Sequence, residues 1–284
     1  MGLSSYEDMP DHLHDYLRFF RDLGIEEVYL PKAVRDRIVG KSQSAGSASS
    51  MSTTSSRLAR VPKPTAVLPT PPLPDKPTVA ESQRSHSGER SAIPLEVLQE
   101  IQGDIGECTR CGLHEGRNKI VFGSGQPDAK LVFVGEGPGA DEDAQGLPFV
   151  GRAGKLLTEM INNTAQREGI PISRGDVYIC NVVKCRPPGN RNPEPGEMKT
   201  CGQFLERQLL AIRPKAICVL GGTAAKYLLR PTQGITRIRG QWHEWHGIPV
   251  MPTYHPSFLL RPYAQDKKRE AWLDLRAALH YVYD

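Results

Sequence analysis

Hydrophobic positions along the chain fall into three regimes. In residues 1–40, Leu13, Tyr16, Leu17, Phe20 and Leu23 recur at i, i+3, i+4, i+7 and i+10, one face of an amphipathic helix. Asp11 is a good N-cap for it and Gly24 a good C′ residue. A helix this short is marginal alone, so residues 11–23 are expected to dock, on the same chain or on a protein partner. Residues 41–92 show no period: 12 Ser and 7 Pro stand in 52 positions, without Phe, Tyr, Trp, Ile or Cys. Such a stretch buries too little apolar area to offset its ordering entropy and reads as a disordered linker. Its Pro-rich half, PKPTAVLPTPPLPDKP, reads as a spacer before it reads as a polyproline ligand.

From residue 93 the pattern turns globular. The spacing predicts a helix over 94–106, with Pro94 at N1 and Leu98, Ile101 and Ile105 inward. KLVFVG (130–135), DVYICNVV (176–183), KAICVL (215–220) and residues 248–253 predict four buried strands. Between and after them, helices are predicted over 151–167, 195–212, 222–229 and 264–283. Strands alternating with helices predict an α/β fold on a central, mainly parallel, four-stranded sheet. The chain thus divides into a helical segment (1–40), a linker (41–92) and one compact domain (93–284).

Composition and charge sharpen this picture. The hydrophobic share is 38% beside an ordinary 24% charged, which fits dilution by the linker. No apolar run approaches the roughly 18 residues of a membrane span. The start, MGLSSYEDMPDH, lacks the basic and apolar regions of a secretory signal, and Tyr6 stands where myristoylation wants Ser or Thr. The expectation is a cytoplasmic protein without a membrane partner, whose six cysteines are thiols or ligands rather than disulfides. The net charge of +4 hides an asymmetry. Residues 184–261 carry 12 Lys and Arg against 4 Asp and Glu, whereas residues 93–183 carry 8 against 13. A basic segment of this kind can meet a phosphate backbone.

Four cysteines form a pattern: Cys108-x2-Cys111, then Cys185 and Cys201 bracketing the loop RPPGNRNPEPGE. Four thiolates suit zinc or a [4Fe–4S] cluster, and spacing alone does not choose. Cys180 and Cys218 lie within apolar strands and read as small buried hydrophobes. The first strand runs into Gly135-Glu136-Gly137-Pro138-Gly139, followed by Asp141, Glu142 and Asp143. This is formally a dinucleotide fingerprint, but Pro138 removes a donor and the acids would repel a pyrophosphate. Free N–H groups at such a turn can bind a developing anion, and the carboxylates can polarise water. Phe149 offers a ring for stacking, Asn181 an amide for a polar planar ligand, and His255 lies just past the fourth strand. All four elements end at strand C-termini, where open α/β sheets bind ligands.

Residues 108–284 resemble the family 4 uracil-DNA glycosylases, the iron–sulfur class of bacteria and archaea, here with an N-terminal extension. The resemblance lies in CTRCGL, NKIVFGSGQPDAKLVFVGEGPG, DEDAQGLPFVGRAGKLL, NVVKCRPPGNRNPEP, Cys201 and YHPS, all in family order. It implies the three-layer α/β/α uracil-glycosylase fold and a hydrolase that releases uracil from DNA and leaves an abasic site for base excision repair. It implies a [4Fe–4S] cluster on Cys108, Cys111, Cys185 and Cys201. Uracil contacts carry over as Glu136, Gly137, Pro138, Phe149, Asn181 and His255. Related enzymes of another family place a water-activating Asp where Gly137 stands, so Glu136, Glu142 or Asp143 is expected to hold the water, with Glu142 alternatively a wall against the methyl of thymine. His255 is the expected electrophile. Expected DNA contacts are Lys184, Arg186, Arg191, Ser257 and Arg261, with Leu259 or Leu260 as the wedge. The expected protein is a monomer in the cytoplasm or nucleoid acting on double- or single-stranded uracil DNA. Two alternatives stay open: a relative that binds uracil or lesion DNA without turnover, and an iron–sulfur redox protein. The covalently trapping relatives carry a basic loop with a His, and KCRPPGNRNPEPGE has none.

Overall fold

The computed structural model describes residues 92–284, so the expected helix at 11–23 and nearly all of the linker lie outside the described residues. Among these described residues six strands form one sheet: β1 (Ser124–Gly125), β2 (Leu131–Gly135), β3 (Tyr178–Asn181), β4 (Ala216–Leu220), β5 (His243–Trp245) and β6 (Ile248–Thr253). Their spatial order is β1-β3-β2-β4-β6-β5. The four inner strands are mutually parallel, and β1 and β5 pair antiparallel at the edges. The inner strands are the four that hydrophobic runs predict. The sheet differs from the expected four-stranded one by its two short edges. β5 joins β6 through His246 and Gly247, both at positive φ (49° and 77°), the geometry of a tight hairpin turn. The third predicted run is also shorter than expected. After Asn181 the chain leaves the ladder, and the N–H groups of Val182 and Val183 donate to the carbonyls of Gly135 and Glu136.

Among the described residues eight helices coat the sheet: α1 (Ala92–Ile105), α2 (Ala140–Gln145), α3 (Arg152–Arg167), α4 (Pro195–Ile212), α5 (Gly222–Leu229), α6 (Ile235–Ile238), α7 (Pro256–Leu259) and α8 (Gln265–Tyr283). Strand residues alternate between the two faces. Val132, Val134, Cys180, Ile217 and Val219 join Leu98, Ile101 and Ile105 of α1 and Phe204, Leu205 and Leu209 of α4 in one buried cluster. Helices α3 and α8 pack together, and α8 lies on β4 and β6. This three-layer arrangement puts the C-terminal ends of the four parallel strands on one rim. No helix among the described residues is long and apolar enough to cross a membrane.

Candidate functional site

A pocket of about 370 Å³ opens where β2, β3, β4 and β6 end. Glu136, Gly137, Pro138, Phe149, Asn181 and His255, the six residues the sequence offers as base contacts, all line it. Glu142, Arg191, Ser257 and Arg261 share the lining. So do Pro187, from the loop between Cys185 and Cys201, and Ala153, Asn190, Asn192, Gly221 and Gly222, which sequence patterns did not single out.

Asn181 ends β3 and is 2% exposed, and its Oδ1 has no hydrogen-bond partner. A buried acceptor left this way is uncommon and costs about 1–3 kcal/mol unless a ligand meets it. Gly135, its β-ladder partner, makes room for it. A Cβ there would collide with Asn181 Oδ1 and come within 2.6 Å of Phe149 Cζ. The ring and the amide therefore crowd the end of β2 from two sides.

Phe149 is buried with φ at +53°, a left-handed backbone that bulky residues rarely adopt. Three contacts hold it there. Arg174 donates to Pro148 O at 2.7 Å and to Thr158 Oγ1 at 3.1 Å. Glu142 Oε1 accepts from the N–H groups of Val150 (2.8 Å) and Gly151 (2.9 Å). The backbone of Phe149 fills the space a Cβ on Gly154 would need. Burial lowers the Arg174 pKa, and the nearby Glu142 carboxylate opposes that shift.

His255 caps α7. Its Nδ1 accepts from the Ser257 N–H at 3.2 Å and lies 2.7 Å from Ser257 Oγ. A backbone N–H can only donate, so Nδ1 carries no proton and the ring's proton sits on Nε2. Burial pushes the ring's pKa down to about 4, with Glu142 pulling weakly the other way. The imidazole lies 5.5 Å, centroid to centroid, from the Phe149 ring. Behind it, Thr253 donates to Asp274 at 2.6 Å, Arg239 forks onto Asp274, and Tyr254 donates to Glu270 at 2.9 Å. This network ties the strand end to α8 and fixes the turn that carries His255.

The acidic turn sorts into distinct environments. Glu142 accepts from Gly139 N as well as from Val150 and Gly151, so its oxygens staple the loop while it lines the pocket. Asp143 is fully buried and accepts from the Asn118 and Lys119 backbones and the Asn118 side chain. That removes it from the pocket and corrects its expected catalytic place. Glu136 faces the pocket half-buried. At Gly137 a Cβ would meet Val183 Cγ2 at 2.7 Å, so no acidic side chain fits there without rearrangement.

Two expected DNA contacts are corrected as well. Lys184 is 1% exposed, with its Nζ bonded to Asn181 O and Gln208 Oε1, so no phosphate can reach it. Leu259 is 1% exposed and packed inward, whereas Leu260 is 43% exposed. Arg186 donates to Asn190, and Arg191 forks onto Glu197 at 2.9 and 2.7 Å. Arg261 donates to the exposed Tyr263 hydroxyl at 2.6 Å beside the pocket.

Cys108, Cys111, Cys185 and Cys201 line a second, separate cavity. The sulfurs have aligned donors: Arg110 to Cys108 at 3.5 Å, Arg117 to Cys185 at 3.6 Å and Lys184 N to Cys201 at 3.2 Å. Burial pushes the Cys201 thiol up to about 11 and also raises Cys185. Four soft ligands around one cavity, with N–H groups on three of the sulfurs, fit an iron–sulfur cluster as they would fit zinc. Among the described residues, no three His, Cys, Asp or Glu side chains close on a single-ion geometry. Cys180 and Cys218 are fully buried within their strands.

The family model for the uracil DNA glycosylase superfamily matches residues 122–276. A type-4 uracil-DNA glycosylase of Thermotoga maritima is 44% identical over 189 residues, covering 66% of this chain and 95% of its own length. One from Archaeoglobus fulgidus is 44% identical over 182 residues, covering 61% and 88%. A type-5 enzyme of Pyrobaculum aerophilum is more distant, 31% identical over 144 residues, covering 47% and 63%.

Proposed function

The chain belongs to the uracil-DNA glycosylase superfamily and within it to the type-4 enzymes, and from that premise we propose how its pocket excises uracil. The protein is a uracil-DNA glycosylase, a hydrolase that cleaves the N-glycosidic bond of uracil in DNA. The observation that carries the reading of the pocket is the buried, unpartnered Asn181 Oδ1 at the strand ends.

Uracil in DNA is reached by flipping its nucleotide out of the stack. Phe149 stacks on the flipped ring. The Asn181 amide accepts from uracil N3–H and donates to O4. Cytosine carries an amino group in place of O4 and no N3–H, so the same amide mismatches it. As the C1′–N1 bond breaks, the sugar gains oxocarbenium character and negative charge moves to uracil O2. The His255 Nε2–H and the backbone N–H groups around Gly137 meet that charge. The water oxygen bonds to C1′ as the C1′–N1 bond breaks, the water's proton passes through the Glu136 carboxylate to solvent, and uracil departs as the N1 anion and takes up a proton from solvent. Glu136 holds that water, because the Glu142 oxygens already accept three N–H groups and Asp143 is buried elsewhere. Glu142 then serves as loop staple and pocket wall.

Cys108, Cys111, Cys185 and Cys201 hold a [4Fe–4S] cluster in this proposal. When bound, it would supply iron–thiolate bonds that tie the turn after α1 to the loop before α4, through Cys185, and to α4 itself, through Cys201. Leu260 fills the gap left by the flipped base, and Arg186, Arg191, Ser257 and Arg261 meet the backbone. Residues 93–284 are the catalytic domain, and excision by a chain beginning at residue 92 tests that division.

Incubating the full chain with a uracil-containing oligonucleotide and then alkali gives the decisive readout. A strand cut at the uracil position is expected. A retained covalent band or an uncut strand refutes hydrolytic turnover.

A further inference from the structure

Lys184 is a buried basic side chain that neither the excision chemistry nor the cysteine cavity accounts for. It is 1% exposed, between Asn181 and Cys185 in sequence. Its Nζ donates to the main-chain carbonyl of Asn181 at 2.8 Å and to Gln208 Oε1 at 2.6 Å. Gln208 is itself buried, and its Nε2 donates to Phe122 O and the Tyr178 hydroxyl, both at 3.1 Å. The ammonium thus sits at the centre of a closed polar network inside an apolar layer. Burying an ammonium is expensive, and neutral acceptors offset that less well than a carboxylate.

The other end of the same residue belongs to the cysteine cavity. Lys184 N donates to Cys201 Sγ at 3.2 Å, and its carbonyl accepts from Val121 N at 2.8 Å. It lines the cavity beside all four cysteines. Lys184 therefore touches both sites, with its backbone at one and its side chain at the other.

The turn between them explains what this does. Asn181 is the last ladder residue of β3, paired with Gly135. Beyond it, the N–H groups of Val182 and Val183 reach across to Gly135 O and Glu136 O. That fixes the turn from the β2 side. The Asn181 carbonyl points the opposite way and is fixed by the Lys184 ammonium. Clamping both sides of the peptide leaves the Asn181 backbone little freedom, and its side-chain amide inherits that alignment.

We propose that Lys184 is a positioning residue that couples the cysteine cage to the base-reading amide of Asn181. Closing the cage on Cys185 and Cys201 sets the Lys184 backbone, and the Lys184 side chain then sets Asn181. The coupling rests on the reading of Asn181 as the residue that recognises uracil.

A double-mutant cycle on the full-length holoprotein tests it, with Lys184→Met, Asn181→Ala and the pair. Iron content and visible absorbance are read beside KM and kcat on a uracil oligonucleotide. Lys184→Met is expected to keep its iron and a KM within about twofold, while kcat falls roughly tenfold to a hundredfold, the effect of a misplaced catalytic contact. In the Asn181→Ala background the same change is expected to cost less than about threefold, because residues acting through one another are not additive. Gln208→Leu is the second variant. It removes one acceptor of the ammonium without touching a cysteine, and a smaller fall in kcat with iron retained is expected. An iron-loaded Lys184→Met enzyme at the parent rate overturns the coupling, as do additive losses in the cycle or iron lost from both variants. A normal Asn181→Ala enzyme overturns the reading of the pocket first, and the coupling with it.

Discussion

Between about pH 8 and pH 5 the excision rate is expected to stay level as far as His255 is concerned, because its ring enters the reaction neutral. Burial holds its pKa at about 4 against an ordinary 6.5, which makes the charged ring roughly 3 kcal/mol less favourable than in water. The Ser257 N–H on Nδ1 works in the same direction, since a protonated Nδ1 could no longer accept it. A neutral ring with its proton on Nε2 can donate to uracil O2 as charge builds there and need not give the proton away. Removing one such donor typically costs about 10²–10³ in kcat, which sets the expected loss for His255→Ala. The same depressed pKa bears on stability. The unfolded chain takes up the proton first, so the stabilising contribution is full above pH 6.5 and drains away as pH falls from there through about 4. His255→Gln should lack that component of the acid slope. Histidine ¹⁵N NMR reads the tautomer and titration directly, and single-turnover excision reads the rate. A proton on Nδ1 at neutral pH, or a rate limb near 6.5 that follows this ring, would refute the reasoning.

Four further outcomes are expected. Asn181→Ala should lower excision by about a hundredfold or more while iron content stays unchanged, and a mutant near the parent rate contradicts its role. Gly154→Ala drives a methyl into the Phe149 backbone, so urea unfolding should show a loss of about 1–3 kcal/mol with weakened substrate binding. Leu260→Ala should slow excision from duplex more than from single strands, and equal effects rule out a wedge. Cys201→Ser should lose iron on purification, and full iron content in that variant contradicts its place as a ligand.

Continuous apolar runs marked the inner strands, which are buried on both faces, and helical periodicity marked the major helices, each long enough to show it. The edges were harder to read. β5 has three residues, and its turn uses His246 and Gly247 where Asn-Gly would signal a hairpin. The pocket was legible for a topological reason: its residues follow strands whose parallel order brings their C-terminal ends to one rim. Burial was not legible residue by residue. Lys184 reads as basic in a basic loop, yet its neighbours Val182 and Val183 are core residues and it follows them inward. Leu259 and Leu260 are indistinguishable by type, and only the short helix α7 turns the first inward and leaves the second out. Arg174 left no signal, since it acts on Pro148 from 26 residues away and belongs to no local motif.

The crowding of acids beside a DNA-facing pocket needs a physical account, because Glu136, Asp141, Glu142 and Asp143 fall within eight residues. Cations do not supply most of it. Glu142 and Asp143 are each met by backbone N–H groups, at Gly139, Val150 and Gly151 for one and at Asn118 and Lys119 for the other. Such groups stabilise a carboxylate where it is and leave it no reason to recruit Lys or Arg. The basic residues around the mouth are thereby left to other partners: Arg261 to Tyr263, and Arg191 to Glu197 on α4. The loop that aims Phe149 and the turn that surrounds Gly137 are thus built by acids acting as structural acceptors. The carboxylates of the segment are occupied locally, and of the basic surplus in residues 184–261 it is exposed members such as Arg261, not the buried Lys184 or the Asp274-paired Arg239, that face an approaching phosphate backbone.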